Sequence, residues 1–120
     1  MASENRRFSA WDVVRVDFPY ADGPSSRRRP ALVIATPEVQ ARFGILWLLM
    51  ITSARHHVWP GDVRVTDLAS AGLSHDCVVR TQKIATLDSR HAVRIGRLAE
   101  ADHGKIVASL RNLLNDVFSH

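Results

Sequence analysis

The sequence predicts a small, mainly β protein: five or six short antiparallel strands in a barrel or highly twisted sheet, followed by one helix that packs on it. Three observations carry this. Val14, Val16 and Phe18 alternate with Arg15 and Asp17, the period of a half-buried strand. Short apolar runs then recur between turn-forming segments. The period changes near the C-terminus, where Ile106, Leu110, Leu113, Leu114 and Val117 form one helical stripe.

Taken in order, residues 1–9 are polar and are expected to be a flexible N-terminal arm, with a single domain over 10–120. Pro19 ends the first strand because it cannot donate to a ladder. Residues 20–28 contain Asp22-Gly23-Pro24-Ser25-Ser26, a turn-rich loop. Strand two covers Pro30 to Ala35 and strand three Ile45 to Thr52, both apolar enough to be central. Asp62 to Val65 is a short strand, and Leu68 to Leu73 a single helical turn ending at Gly72. Val78 to Ala85 is the next strand, with Val79, Thr81 and Lys83 on one face and Val78, Arg80, Gln82 and Ile84 on the other. Asp88-Ser89 marks a turn, and Val93, Ile95 and Leu98 a last strand.

Bulk properties narrow the function. At 120 residues, 46% of them hydrophobic and 23% charged, the chain is an ordinary globular domain. The apolar run from Phe43 to Ile51 is too short to span a bilayer as a helix, and no signal-peptide core follows the N-terminus. These features predict a cytoplasmic protein. Its single cysteine, Cys77, excludes an intrachain disulfide and is expected to be buried and inert. Net charge is +4, carried by fourteen arginines and two lysines. That balance favours a polyanionic partner, although a genomic preference for Arg codons would leave the same imbalance.

Arg27, Arg28 and Arg29 converge where the second strand begins. Guanidinium groups match phosphate because they present a rigid fork of donors that stays charged. Thr52 and Ser53 end strand three, and Arg80-Thr81-Gln82-Lys83 lies on a later strand. Together they offer guanidinium, hydroxyl, amide and ammonium groups, suited to holding a phosphodiester and stabilising developing charge. Hydroxyls that merely cap a strand end are the competing reading of Thr52 and Ser53. Likewise, Trp59 in the loop after strand three is either a base-stacking platform or a buried anchor. No zinc motif, phosphate-binding glycine loop or nucleophile elbow occurs, so no metal or cofactor is expected.

The ordered set Asp12-Val13-Val14-Arg15-Val16-Asp17-Phe18-Pro19, Arg28-Arg29-Pro30-Ala31-Leu32-Val33-Ile34, Ile51-Thr52-Ser53, Val78 to Ile84 and Arg94-Ile95-Gly96-Arg97-Leu98 resembles the MazF/PemK toxin family of toxin–antitoxin systems. The resemblance covers about residues 10–117. It implies an SH3-like barrel, a homodimer, an acidic antitoxin partner and metal-independent cleavage of single-stranded RNA. In that chemistry the 2′-OH attacks, leaving a 2′,3′-cyclic phosphate (or 3′-phosphate) and a 5′-OH. It also implies catalytic roles for Arg29, Thr52 and Arg80, with Arg27, Arg28, Ser53, Trp59, Gln82 and Lys83 binding RNA. Two positions depart from the pattern. Gln82 stands where some members carry an aspartate proposed as general base, and Trp11 replaces the usual glycine before Asp12, a change read as local packing. The alternatives are a non-catalytic toxin that binds gyrase in the manner of CcdB, which shares the fold, and a barrel that binds RNA without cutting it.

Overall fold

In the computed structural model, residues 7–17, 28–35 and 37–119 are described. Among them six strands form one antiparallel sheet in the order β4-β5-β3-β2-β1-β6. They are β1 (Asp12–Asp17), β2 (Arg28–Val33), β3 (Ile45–Ser53), β4 (Asp62–Arg64), β5 (Cys77–Asp88) and β6 (Ala92–Arg97). The mainly β prediction holds. The barrel is not closed by hydrogen bonds, however: β4 and β6 end the sheet without joining. Loop 18–27, including the last residues expected of the first strand, lies outside the described residues.

Both faces of the sheet are covered, which is why β1, β2 and β3 are so apolar. On one face Val13, Leu32, Leu49, Ile51, Val79, Leu98 and Ile106 pack into a cluster. On the other, Val14, Val16, Ala31, Val33, Leu48, Met50 and Leu87 form a second. Neighbouring residues of β1 therefore point into different cores, as the pleat requires.

Of the stretch read as a flexible arm, residues 7–9 are described. Phe8 is 3% exposed and belongs to the second cluster. Its N–H donates to Gln40 Oε1 at 2.9 Å, and the Arg94 guanidinium lies over its ring and bonds the Arg7 carbonyl. One apolar residue in a polar stretch gave no periodic signal of this docking. The buried Asp12 carboxylate fastens the same corner, accepting from Ser9 N–H and from Arg94 and Arg97 at 2.8–3.1 Å.

Trp11 explains the family's glycine at this position. Its φ is +77°, a left-handed conformation that costs a side-chain-bearing residue about 1–2 kcal/mol. In return its ring stacks on His103, with centroids 3.8 Å apart and planes inclined by 7°. The reading of Trp11 as a packing change fits that contact.

Two of the three helical features depart from expectation. Helix α1 (Pro37–Phe43) fills a span to which no element was assigned, because it buries none of its residues and shows no apolar stripe. Between β4 and β5, α2 (Leu68–Ala71) is capped by Gly72 at φ +74°, which matches the single turn read from the sequence. The long C-terminal stripe is only half used. Helix α3 (Glu100–Leu113) buries Ile106 and packs Leu110 at the core's margin. The chain then breaks at Leu114 into α4 (Asn115–Phe118), leaving Leu113, Leu114, Val117 and Phe118 exposed. What anchors α3 is a polar contact instead: buried Asp102 accepts from Thr66 N–H at 2.9 Å and from its hydroxyl.

The most consequential irregularity is in β5. Met50 pairs with Arg80, but the preceding Leu49 pairs with Ile84, so residues 81–83 have no partner on β3. This bulge coincides with the imperfect alternation of Val78 to Ala85 and breaks the division of that strand into two faces. The strand also continues to Asp88 before a short 3₁₀ turn at Ser89–His91.

Candidate nucleic-acid interface

Register places the predicted residues. Ala31 pairs with Met50 across β2 and β3. The β2–β3 pairing ends there; by strand alternation Arg29 shares the face of Ala31, and Thr52 the face of Met50. Arg80 pairs with Met50 from the other side and shares this face. Arg29, Thr52 and Arg80 thus flank one end of the second apolar cluster. Arg29 is exposed and Thr52 half-buried. Among the described residues neither side chain makes an ion pair or hydrogen bond.

Arg80 is in a different state. It is 7% exposed, and its guanidinium is gripped by the loop before β4. Nε donates to Asp62 Oδ1 at 3.2 Å, and Nη2 donates to Asp62 Oδ2 at 3.0 Å and to the His57 carbonyl at 2.6 Å. Trp59 closes one side, its ring centroid 4.2 Å from the guanidinium carbon. Asp62 and Arg80 also face each other across β4 and β5, so register and charge agree. Among the described residues Nη1 makes no hydrogen bond or ion pair.

The remaining predicted residues are dispersed. Gln82, in the bulge, is exposed and donates from Nε2 to the Pro60 carbonyl at 2.6 Å. Beside it Thr81, fully buried, donates to the Gly61 carbonyl and meets Ser109 of α3. The bulge therefore clamps loop residues 57–61 to the sheet. Lys83 is exposed. Ser53 accepts from Arg55 N–H at 3.2 Å, so its hydroxyl caps a turn, as the plainer reading had it. Trp59 anchors Arg80 on one side while 37% of the residue remains exposed. Arg28 is exposed opposite Asp17, on the other face from Arg29. Arg27 lies outside the described residues.

Sequence reading missed Asp62, because a lone aspartate at the start of a three-residue strand looks like a turn residue. Its place opposite Arg80 was the available signal, and only strand register reveals it. Among the described residues no cluster of His, Cys, Asp and Glu could hold a metal ion. No helix there is long and apolar enough to cross a membrane. Cys77 is buried as expected, and burial, reinforced by Asp76, raises its thiol pKa above 9.0.

A strongly bent antiparallel sheet with a capping helix and an arginine-lined strand end defines a class of small basic β proteins. Residues 9–114 match the family described as PemK-like, MazF-like toxins of type II toxin–antitoxin systems, and the chain belongs to that family. A comparison with curated protein sequences finds no significant match. Among solved structures, the chain is similar to one from the MazE–MazF complex of Deinococcus radiodurans: 26% identity, 89% of this chain and 94% of that one covered, TM-score 0.69. It also resembles the Mycobacterium tuberculosis toxin MazF-mt6, at 17% identity over 87% of this chain and 96% of that one, TM-score 0.69. A mycobacterial endoribonuclease solved with its cognate antitoxin has the same fold, at 19% identity, 90% and 95% coverage and TM-score 0.67.

Proposed function

We propose that this toxin is a metal-independent endoribonuclease acting on single-stranded RNA. The supporting observation is the placement of Arg29 and Thr52: on one face of neighbouring strands by alternation, with side chains unengaged among the described residues. Arg29 binds the scissile phosphate, and Thr52 hydrogen-bonds a non-bridging oxygen. The substrate's 2′-OH loses its proton and attacks phosphorus. The P–O5′ bond breaks, giving a 2′,3′-cyclic phosphate and a 5′-OH once O5′ takes up a proton.

Arg80 contributes charge rather than a proton. A guanidinium held by a carboxylate is a poor acid, but its free Nη1 edge, fixed in direction, can stabilise an oxyanion without reorganising. Gln82 cannot serve as base, and Asp62 is occupied by Arg80. The proton passes to water or to a neighbouring histidine. Lacking a dedicated base, turnover is expected to be slower by about a hundred- to ten-thousand-fold than with one. Arg28, Trp59 and Lys83 guide the strand. An acidic antitoxin segment competes for the same arginines, and a homodimer covers the exposed end of the C-terminal stripe. The toxin acts in the cytoplasm.

The test is incubation of long single-stranded RNA with the protein in excess EDTA, beside Arg29→Ala and Thr52→Ala. Discrete cuts bearing cyclic phosphate and 5′-OH, lost in Arg29→Ala, are expected. RNA left intact by folded wild-type protein would refute catalysis and leave a binding module.

A further inference from the structure

On the opposite face of the same strand ends lies a second cationic feature, of which the reading above uses only Arg28. Val14 and Val16 point into the second cluster, so Arg15 and Asp17 point away from it. Arg28 faces Asp17 across β2, and Val93 faces Arg15 across β6. With Arg90 and His91 from the 3₁₀ turn they line a hollow of about 140 Å³.

Two properties distinguish this hollow from an ordinary solvated surface. Arg15 and Arg28 are exposed and, among the described residues, enter no ion pair, although Asp17 is close by. Arg90 is fixed from behind: its Nε donates to Asp88 Oδ2 at 3.1 Å, and Asp88 Oδ1 accepts from its N–H. The second property is Asp17 itself. Its Oδ1 is buried without any hydrogen-bond partner. Buried polar atoms are rarely left unpaired, so this carboxylate, which also lines the hollow, has acceptor capacity to spare.

Resting on the ribonuclease reading, we infer that this hollow is a nucleotide subsite for the RNA flanking the cleaved bond. Arg15, Arg28 and Arg90 take a phosphate, and Asp17 accepts a hydrogen bond from the amino group of a base. A carboxylate pairs well with the N4 amino group of cytosine. The acidic residue also decides against an acidic peptide, which brings negative charge and few donors to a site holding one carboxylate already. A nucleotide brings both an anion and a donor.

The experiment measures anisotropy of fluorescein-labelled rC12 and rU12 with the Thr52→Ala protein in EDTA, as a function of KCl. Arg15→Gln, Arg15→Lys and Asp17→Ala are added singly on that background, with melting curves to verify folding. Losing one phosphate contact on a single strand should flatten the slope of log affinity against log salt by about 0.7. That flattening is expected in Arg15→Gln and its reversal in Arg15→Lys. Asp17→Ala should leave the slope and the melting temperature unchanged and abolish a several-fold preference for rC12 over rU12. An unchanged slope in Arg15→Gln overturns the phosphate site, and a preference untouched by Asp17→Ala overturns the base contact. If Arg15→Gln instead weakens only a poly-glutamate probe, the hollow is a peptide site and the inference is wrong. These readouts need no cleavage, so the ribonuclease reading can fail while the subsite stands, and the reverse.

Discussion

Replacing Asp62 by alanine removes the carboxylate that receives Arg80 through two bonds and Trp59 N–H through a third, at 2.9–3.2 Å. The side chains of Arg80 and Asp62 are only 9% and 3% exposed. Stripping the partner from a buried charge pair costs about 3–5 kcal/mol, because the remaining charge is left desolvated. The His57 carbonyl and the Trp59 ring keep some of their hold, which places the expectation near the lower end. A loss of about 3 kcal/mol should lower the melting temperature of a chain this size by about 10 °C or more. Urea unfolding followed by circular dichroism gives the free energy directly. The companion variant Asp62→Leu/Arg80→Met, which removes both charges, should recover most of the loss. A cost below about 1 kcal/mol for Asp62→Ala, the range of solvent-screened surface pairs, would refute the view that this pair is buried and locks the loop.

At Trp11, alanine keeps the left-handed backbone strain and loses the His103 stack, whereas glycine loses the stack but relieves the strain. Thermal melts should therefore rank wild type above Trp11→Gly and Trp11→Gly above Trp11→Ala, the two variants differing by about 1 kcal/mol; the reverse order would dismiss the strain. The Cys77 thiol should resist alkylation by iodoacetamide at pH 8 in the native protein and react once urea unfolds it. Its folded pKa is raised, so this residue's contribution to stability is full below the unfolded pKa and fades as pH climbs through the folded one. Rapid native labelling at pH 8 would contradict its burial.

The strands were legible where the pleat writes itself into the sequence. Alternation gave β1, the apolar run gave β3, and Gly72 marked the end of α2. What stayed hidden was whatever depends on non-local register. The bulge at residues 81–83 leaves no mark except imperfect alternation, and it alone decides that Arg80 turns to Asp62 while Gln82 and Thr81 hold the loop. The C-terminal stripe was read too far, because periodicity shows that a helix could bury a face and says nothing about whether anything is there to receive it. Arg29 and Thr52 surfaced through motif order, yet their sharing one face of neighbouring strands could be known only from pairing. The hollow at Arg15 and Asp17 was invisible for the opposite reason: charged residues alternating along a strand look like a wet face.

An open sheet leaves two margins where a foreign strand could add, the usual route to fibres and runaway polymers. Here each margin is blunted by different means. β4 offers only three residues. β6 carries Arg94 and Arg97, and its Gly96 is pressed so closely by the backbone of Ser70 and Ala71 that a Cβ there would lie 2.4 Å from the Ala71 carbonyl carbon. An incoming chain therefore gains little backbone pairing at either margin. At these two margins adding strand to strand gains little, which favours recognition through side chains over generic strand stickiness.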